Sequence, residues 1–281
     1  MFNQNIKSPV NIPVSKIHPF EGNPYKVLDN DEMNILIGSI QEQGILTPII
    51  IRPIENTDEY EVISGHRRLH AIVKAGMKEV PAFIYAINRD EAAIMLVDSN
   101  LHREHILPSE KAFAYKLKLE AMKHQGITCG QVGHKSRDEI SDTDSGRQIQ
   151  RYIRLTYLIP ELLDLVDEEK IALTPAVELS YLTDEEQYAL LGSIEVEDRT
   201  PSLSQAVRFK KLSQTGNLSD DDIETIMQED KANQKPMFKV SMEKLQEIAP
   251  RVKDKDFEDF VLKACEHYYR YLLRQRDRDS R

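Results

Sequence analysis

PIIIRPIENTDEYEVISGHRRLHAIVKAGM (48–77) decides the fold. PIIIRPI (48–54) is an apolar run held between prolines and reads as a strand. The polar loop ENTDE (55–59) separates it from a second strand, YEVIS (60–64). GHRRLHAIVKAGM (65–77) then changes to helical spacing and closes at Gly76. The same alternation extends on both sides. VNIPVSKI (10–17) alternates as a strand does, HPFEGNPY (18–25) is turn chemistry, and VPAFIYAI (80–87) is a further strand. Between them MNILIGSIQEQG places Met33, Leu36, Ile37 and Ile40 on one helical face, with Asp29 and Glu32 as the expected capping pair and Gly44 as the stop. The first hundred residues are therefore expected to form a small mixed α+β domain.

From residue 89 the period is helical throughout. DEAAIMLVDSNLHRE (90–104), PSEKAFAYKLKLEAMKHQG (108–126), RQIQRYIRLTYL (147–158), ELLDLVDEEKIAL (161–173) and PAVELSYL (175–182) predict an all-α continuation. Residues 127–146 are rich in Gly, Ser, Asp and Thr and read in part as loop. Within them only DEIS (138–141) suggests a helix. The polar, charged stretch 210–235 reads as the heart of a linker, and the segment from about 240 to 276 as helix again. The expected division is a tail over 1–9, an α+β domain over 10–104, an all-α domain over 105–200, a linker over 201–238 and a helical segment over 239–281.

The 281 residues carry 37 basic and 47 acidic side chains, a net charge of -10. That average hides its distribution: residues 161–200 alone hold 2 basic against 12 acidic side chains, whereas 101–160 are net basic and the last twelve residues, RYLLRQRDRDSR, hold five Arg. An acidic total thus does not exclude nucleic acid as a partner. No apolar run reaches the ~20 residues of a membrane span, and the N-terminus lacks signal-peptide chemistry, so a cytoplasmic chain without membrane attachment is expected. Cys129 and Cys265 lie 136 positions apart without a CxxC partner, which argues for reduced, structural thiols.

Two clusters could carry chemistry. Gly65-His66-Arg67-Arg68 sits between a predicted strand and a predicted helix, where free amides, the helix dipole and Arg forks suit a polyphosphate. On these four residues alone, a solvated Arg pair at a helix start is the commoner reading. Ser99-Asn100 with Arg103 closes a predicted helix and by itself is an ordinary polar helix end. His102, Glu104 and His105 have a spacing that a metal could use, but no further ligand converges on them. Lys111, Lys116, Lys118 and Lys123 make a basic helix that serves equally well as a solvated face.

The order of these clusters resembles the ParB family of chromosome and plasmid partition proteins. The resemblance runs over about 10–185, through Asn23-Pro24-Tyr25, GILTPIIIR (44–52), YEVISGHRRLHAIVKAG (60–76), VPAFI (80–84), SNLHRE (99–104) and RQIQRYIRLTYL (147–158). It implies a ParB/sulfiredoxin-like nucleotide-binding domain, a helix-turn-helix domain and a small helical C-terminal segment. It also implies a dimeric, CTP-gated DNA clamp for plasmid, chromosome or mobile-element segregation. Partners would be double-stranded DNA with a palindromic site and a ParA-like ATPase, and the protein would be associated with the nucleoid or a plasmid. By this resemblance Gly65, His66, Arg67 and Arg68 line the triphosphate, and Ser99, Asn100 and Arg103 complete the phosphate side. Asn100 meets Mg²⁺, and Thr47-Pro48 lies near the base.

The sequence departs from the family pattern at three positions. His66 and Ser99 stand where the family has Glu, and Thr47 where it has Gln. Two missing carboxylates weaken metal coordination or water activation more than phosphate binding, so hydrolysis of CTP is expected to be weak if it occurs at all. The resemblance also makes 147–158 a recognition helix, with Ser145 holding a phosphate at its start. Arg147, Gln148, Gln150, Arg151 and Arg154 are its polar face, and Ile149, Ile153 and Leu158 face the core. Two rival readings stay open: a helix-turn-helix transcriptional regulator whose ParB-like domain holds no nucleotide, and a small-molecule kinase of the same superfamily. A sulfiredoxin activity is disfavoured because neither Cys lies near Gly65. The helical stripe Phe257, Phe260, Val261, Ala264, Tyr268, Tyr271 and Leu272 cannot bury itself alone and implies a homodimer.

Overall fold

The computed structural model describes residues 8–101, 103, 105–125, 144–229, 246, 249, 252 and 257–279. The chain divides into two compact units, one running to Glu229 and one from Asp230 onward.

The first unit opens with a five-stranded sheet. Its strands are β1 (Val10–Pro13), β2 (Ile17–His18), β3 (Ile49–Pro53), β4 (Tyr60–Ser64) and β5 (Glu79–Ile84), in the spatial order β1-β5-β3-β4-β2. The expected continuous strand over 10–17 is broken by a 3-10 turn at Val14–Lys16. β1 runs antiparallel to β5, β3 parallel to β5 and antiparallel to β4, and β2 parallel to β4. The triple Ile of β3 is apolar throughout because both faces of the sheet are covered. Ile49, Ile51 and Val62 join the core beneath helices α1 (Asp31–Gln43) and α2 (His66–Lys74). Ile50 and Ile63 join the opposite core, formed by Phe20, Tyr25 and helix α3 (Arg89–Asn100). Between strands, the buried Arg52 donates from Nε and Nη2 to Glu61 Oε2 at 2.8 and 2.6 Å, and Glu61 Oε1 accepts from the backbone N–H of Glu21 at 3.0 Å. The pair therefore keeps its charges satisfied and pins the 18–25 turn to the sheet.

Helix α1 is capped by Asn30, whose side chain accepts from Met33 N; the expected capping by Asp29 is corrected. Asp29 instead pairs with His70 Nε2 at 2.8 Å and Lys74 Nζ at 2.6 Å on α2. Asn is the better cap here because it holds extended backbone while its side-chain oxygen meets the N3 amide.

Helix α4 (Pro108–His124) joins the two halves of the unit. Ala114 and Ala121 pack into the α3 core, while Tyr115 and Met122 pack against Ile149 of the next described helix, α5 (Gly146–Leu155). The expected boundary at 104 is thus no break in packing. Helices α6 (Pro160–Asp167), α7 (Leu173–Leu179), α8 (Asp184–Glu197), α9 (Leu203–Gln214) and α10 (Asp220–Gln228) complete an apolar core with α5. Gln187 lies fully inside it, donating to the carbonyls of Tyr157 and Leu182 and accepting from Ile159 N. A buried amide satisfied on both ends fixes how α8 meets the turn between α5 and α6.

The expected linker over 201–238 is corrected for its first part. Residues 203–228 form α9 and α10, which bury Ala206, Phe209, Ile223, Ile226 and Met227 in that core. Both helices open with capping boxes, Ser202 with Gln205 and Ser219 with Asp222. Their charge is carried on exposed faces, which is why the stretch reads as polar in sequence.

In the second unit α11 (Phe257–Asp279) keeps Phe260, Leu262, Tyr268, Tyr269 and Tyr271 exposed, with the rings of Tyr268 and Tyr271 stacked at 6.2 Å. Cys265, expected as a structural thiol, is exposed. Cys129, His102, Glu104 and DEIS lie outside the described residues. Among the described residues no helix is long and apolar enough to cross a membrane.

Candidate functional sites

The first site is the corner between β4 and α2. Gly65 takes φ 104°, a left-handed conformation that turns the chain from strand into helix. A Cβ there would stand 2.8 Å from Ile49 Cγ2 and 3.1 Å from Arg68 Nη2, so the corner needs glycine for space as well as for conformation. Arg68 folds back across it. Its Nη1 donates to the carbonyls of Thr47 at 2.6 Å and Pro48 at 2.7 Å. The structure thus brings Thr47, Pro48, Gly65 and Arg68 together, and burial holds the Arg68 guanidinium below its ordinary pKa. Arg67 turns the other way and pairs with Glu32 of α1 at 2.9 Å across an exposed surface.

His66 faces the turn that follows β2. Its Nε2 accepts from Phe20 N at 3.4 Å, and burial, with the Arg103 charge adding, brings its pKa down to about 4. A neutral imidazole is what a half-buried site beside a guanidinium requires. The exposed Arg103 sits 5.4 Å over the ring of Tyr25, and its backbone N–H donates to Asn100 O. Tyr25 is itself buried, its hydroxyl donating to Val97 O, and burial pushes its pKa up. Ser99 Oγ donates to Leu96 O at 3.0 Å, and Asn100 Nδ2 donates to the same carbonyl at 2.7 Å and to Ser99 Oγ at 3.2 Å. Both amide protons of the buried Asn100 are thus spent inside its own helix. Among the described residues no hydrogen bond reaches Oδ1, the atom a hard cation would use. No group of three or more His, Cys, Asp or Glu among the described residues could hold a metal. A Mg²⁺ here would take one neutral protein oxygen from Asn100 and complete its shell from phosphates and water, which is a chemically adequate set.

The second site lies on α5. Ser145 caps the helix, its hydroxyl accepting from Gln148 N at 3.4 Å. Ile149 is buried and Ile153 partly so, as the amphipathic pattern requires. On the other face an open hollow of about 490 Å³ is lined by Gly146, Arg147, Gln150, Arg151, Arg154, Val177 and Tyr181. Arg151 donates to Gln148 Oε1 at 3.2 Å and to Thr174 Oγ1 at 2.6 Å. Arg154 donates from Nε to Ser180 Oγ at 3.1 Å and from Nη2 to Ser180 O at 2.7 Å. Val177 and Tyr181, which the sequence reading did not include, are supplied by α7 and the turn after it. Their separation from α5 in the chain gave no signal.

Residues 3–101 match the family described as the ParB N-terminal domain. The chain is 32% identical over 162 residues to the chromosome-partitioning protein Spo0J of Thermus thermophilus, covering 58% of this chain and 56% of that protein. It is 33% identical over 131 residues to a nucleoid occlusion protein of Listeria monocytogenes, covering 47% of this chain and 45% of the relative. The chain thus spans about half the length of the curated relatives it matches. Among solved structures, a C-terminally truncated chromosome-partitioning protein ParB of Caulobacter crescentus, complexed to the centromeric parS site, aligns at 20% identity with TM-score 0.42. That alignment covers 78% of this chain and 98% of the other.

Proposed function

We propose, from the match of residues 3–101 to the ParB N-terminal domain, that this chain is a ParB-like partition protein. In this reading it binds CTP at the β4–α2 corner and double-stranded DNA along α5. The observation that carries it is the joining of two distant segments at one corner. Arg68 ties down Thr47-Pro48 beside the glycine corner at Gly65, while the backbone N–H of Phe20 donates to the neighbouring His66. The match to the Spo0J relative supports the biological class.

The chain's own residues would work as follows. Free amides at the start of α2 and the charges of Arg67 and Arg103 receive the triphosphate, and the loop held by Arg68 receives the base. Asn100 Oδ1 would meet Mg²⁺, which when bound neutralises phosphate charge. With His66 and Ser99 offering no carboxylate, binding rather than hydrolysis is the supported activity. Nucleotide binding would favour engagement of two copies around DNA, with α11 as the standing dimer contact and a ParA-like ATPase as partner.

Calorimetric titration of the full chain with CTP, ATP, GTP and UTP in Mg²⁺, repeated with Arg67→Ala and Arg103→Ala, tests the nucleotide half. Selective CTP binding that is weakened in both variants is the expected result. No binding of any nucleotide, with or without DNA, would leave a helix-turn-helix regulator. One observation favours that second reading: Ser99 and Asn100 both turn their donors onto Leu96 O instead of outward.

A further inference from the structure

The hollow on α5 divides its polar residues into two kinds. Arg154 is tied into the fold along one edge and one face: Nε and Nη2 donate to Ser180, and its guanidinium carbon lies 4.0 Å from the Tyr181 ring centroid and 4.4 Å from that of Tyr157. The other side of the same column is closed by Lys210 of α9. Its Nζ stands 3.8 Å from the Tyr181 centroid and 2.8 Å from Glu178 Oε2. Tyr181 is thus flanked by one cation from α5 and one from α9, and the column ties α5, the end of α7 and α9 together. Arg151 is similarly held by Thr174. By contrast Arg147 and Gln150 are exposed, line the hollow, and among the described residues carry no side-chain hydrogen bond or ion pair.

We infer that Arg154 is a positioning residue and that base discrimination in the hollow belongs to Arg147 and Gln150, a division that rests on the reading of α5 as the DNA-facing helix. A guanidinium whose Nε–Nη2 edge is committed to a backbone carbonyl and a hydroxyl, and whose face lies against two rings, is held in one orientation by the fold and cannot swing to follow a base edge without giving these contacts up. Arg147 and Gln150, one helical turn apart, reach outward from the same face and have the chemistry for guanine and adenine edges. Arg154 acts through Tyr181 and Ser180 by fixing the angle at which α5 is presented.

The test selects preferred sites from a pool of randomised duplexes with the full chain, then repeats the selection with Arg154→Ala, Arg154→Lys, Tyr181→Leu and Gln150→Ala. Arg154→Ala and Tyr181→Leu are expected to lower affinity alike on every selected duplex, by about tenfold, without changing the preferred sequence. Combining them should lose little more than either alone, since they remove one unit. Arg154→Lys, which keeps a cation beside the rings, should recover part of the loss even if the alanine variant unfolds. Gln150→Ala should relax preference at one base pair by about tenfold. A changed base preference in Arg154→Lys or Arg154→Ala, or an unchanged one in Gln150→Ala, overturns the inference. Absence of any preferred sequence in the wild-type selection overturns the DNA reading itself, and this division with it.

Discussion

The guanidinium of Arg68 donates to the backbone oxygen of Thr47 at 2.6 Å, and to that of Pro48 one residue on, although the two segments lie 21 positions apart in the chain. That single nitrogen, Nη1, therefore holds the loop ahead of β3 against the first turn of α2 and ties together the two walls of the candidate nucleotide site. Removing the side chain leaves two carbonyls without their donor, one of them open to water, at about 1 kcal/mol. Arg68→Ala is expected to lower the melting temperature and weaken CTP binding together. Arg68→Lys should restore part of the loss, because an ammonium also carries more than one donor on a single nitrogen, though on a more flexible stem. Calorimetry on both variants checks this; full nucleotide affinity in Arg68→Ala would show that the loop is held by other means.

Gly65→Ala meets two obstacles at once. The left-handed backbone at φ 104° disfavours any side chain, and the new methyl would press on Ile49 Cγ2 at 2.8 Å, a buried atom of β3 that has no room to retreat. The expected cost is about 1–3 kcal/mol. A chemical-denaturation midpoint unchanged from wild type would contradict the packing described here.

Much of the first domain was legible because β3, β4 and α2 carry local signals: prolines at the strand edge, a polar loop, and a glycine at the corner. The α1 cap was misread by one position because Asp29 and Asn30 are both capping residues, and only tertiary contacts with His70 and Lys74 claim Asp29. Helices α9 and α10 were missed for a different reason. Their buried positions, Ala206 and Phe209, then Ile223, Ile226 and Met227, do recur at helical spacing, but on a charged background the composition outweighed the pattern. Gln205 deepens the disguise, since it is buried yet polar and donates to Ile226 O across the pair. The engagement of Arg154 by Ser180 was beyond sequence reasoning altogether, because 26 residues separate partners that only the fold brings together.

Phe209 makes the reassignment of 203–228 testable. Its side chain is fully buried among the helices of the α5–α10 core. Truncation to Ala should cost about 3–5 kcal/mol, as for a large ring removed from a packed interior. A residue in a solvated linker would change stability by no more than about 0.5 kcal/mol. Denaturant unfolding of the full chain separates these outcomes, and the smaller value would return this segment to a linker.

Ser99 lies where a carboxylate would add a hard-cation ligand beside Asn100. Ser99→Glu is expected to raise the Mg²⁺ dependence of CTP binding and to increase any CTP turnover, since a carboxylate strengthens coordination in a way a hydroxyl already donating to Leu96 O cannot. Phosphate release measured at saturating CTP decides the point. Equal turnover with and without the carboxylate would mean that this position does not limit the chemistry.

His66 gives the protein a stability that depends on pH in a defined direction. In the folded chain its pKa is about 4, held down by burial first and by Arg103 second, whereas an unfolded His titrates near 6.5. The unfolded state therefore binds more protons throughout the interval between these values, and stability rises with pH across it. The contribution of neutral His66 is complete above about pH 7 and is lost as pH falls from about 6.5 towards 4, a decline on the order of 3 kcal/mol. Because Nε2 accepts from Phe20 N, protonation also removes that hydrogen bond. His66→Gln cannot titrate, so its stability should fall less steeply over pH 6.5–4 than wild type, while carboxylates that titrate in both proteins cancel in the difference. Urea midpoints measured at half-unit steps give the two curves. Parallel curves would place the wild-type imidazole in solvent, with its ordinary affinity for a proton.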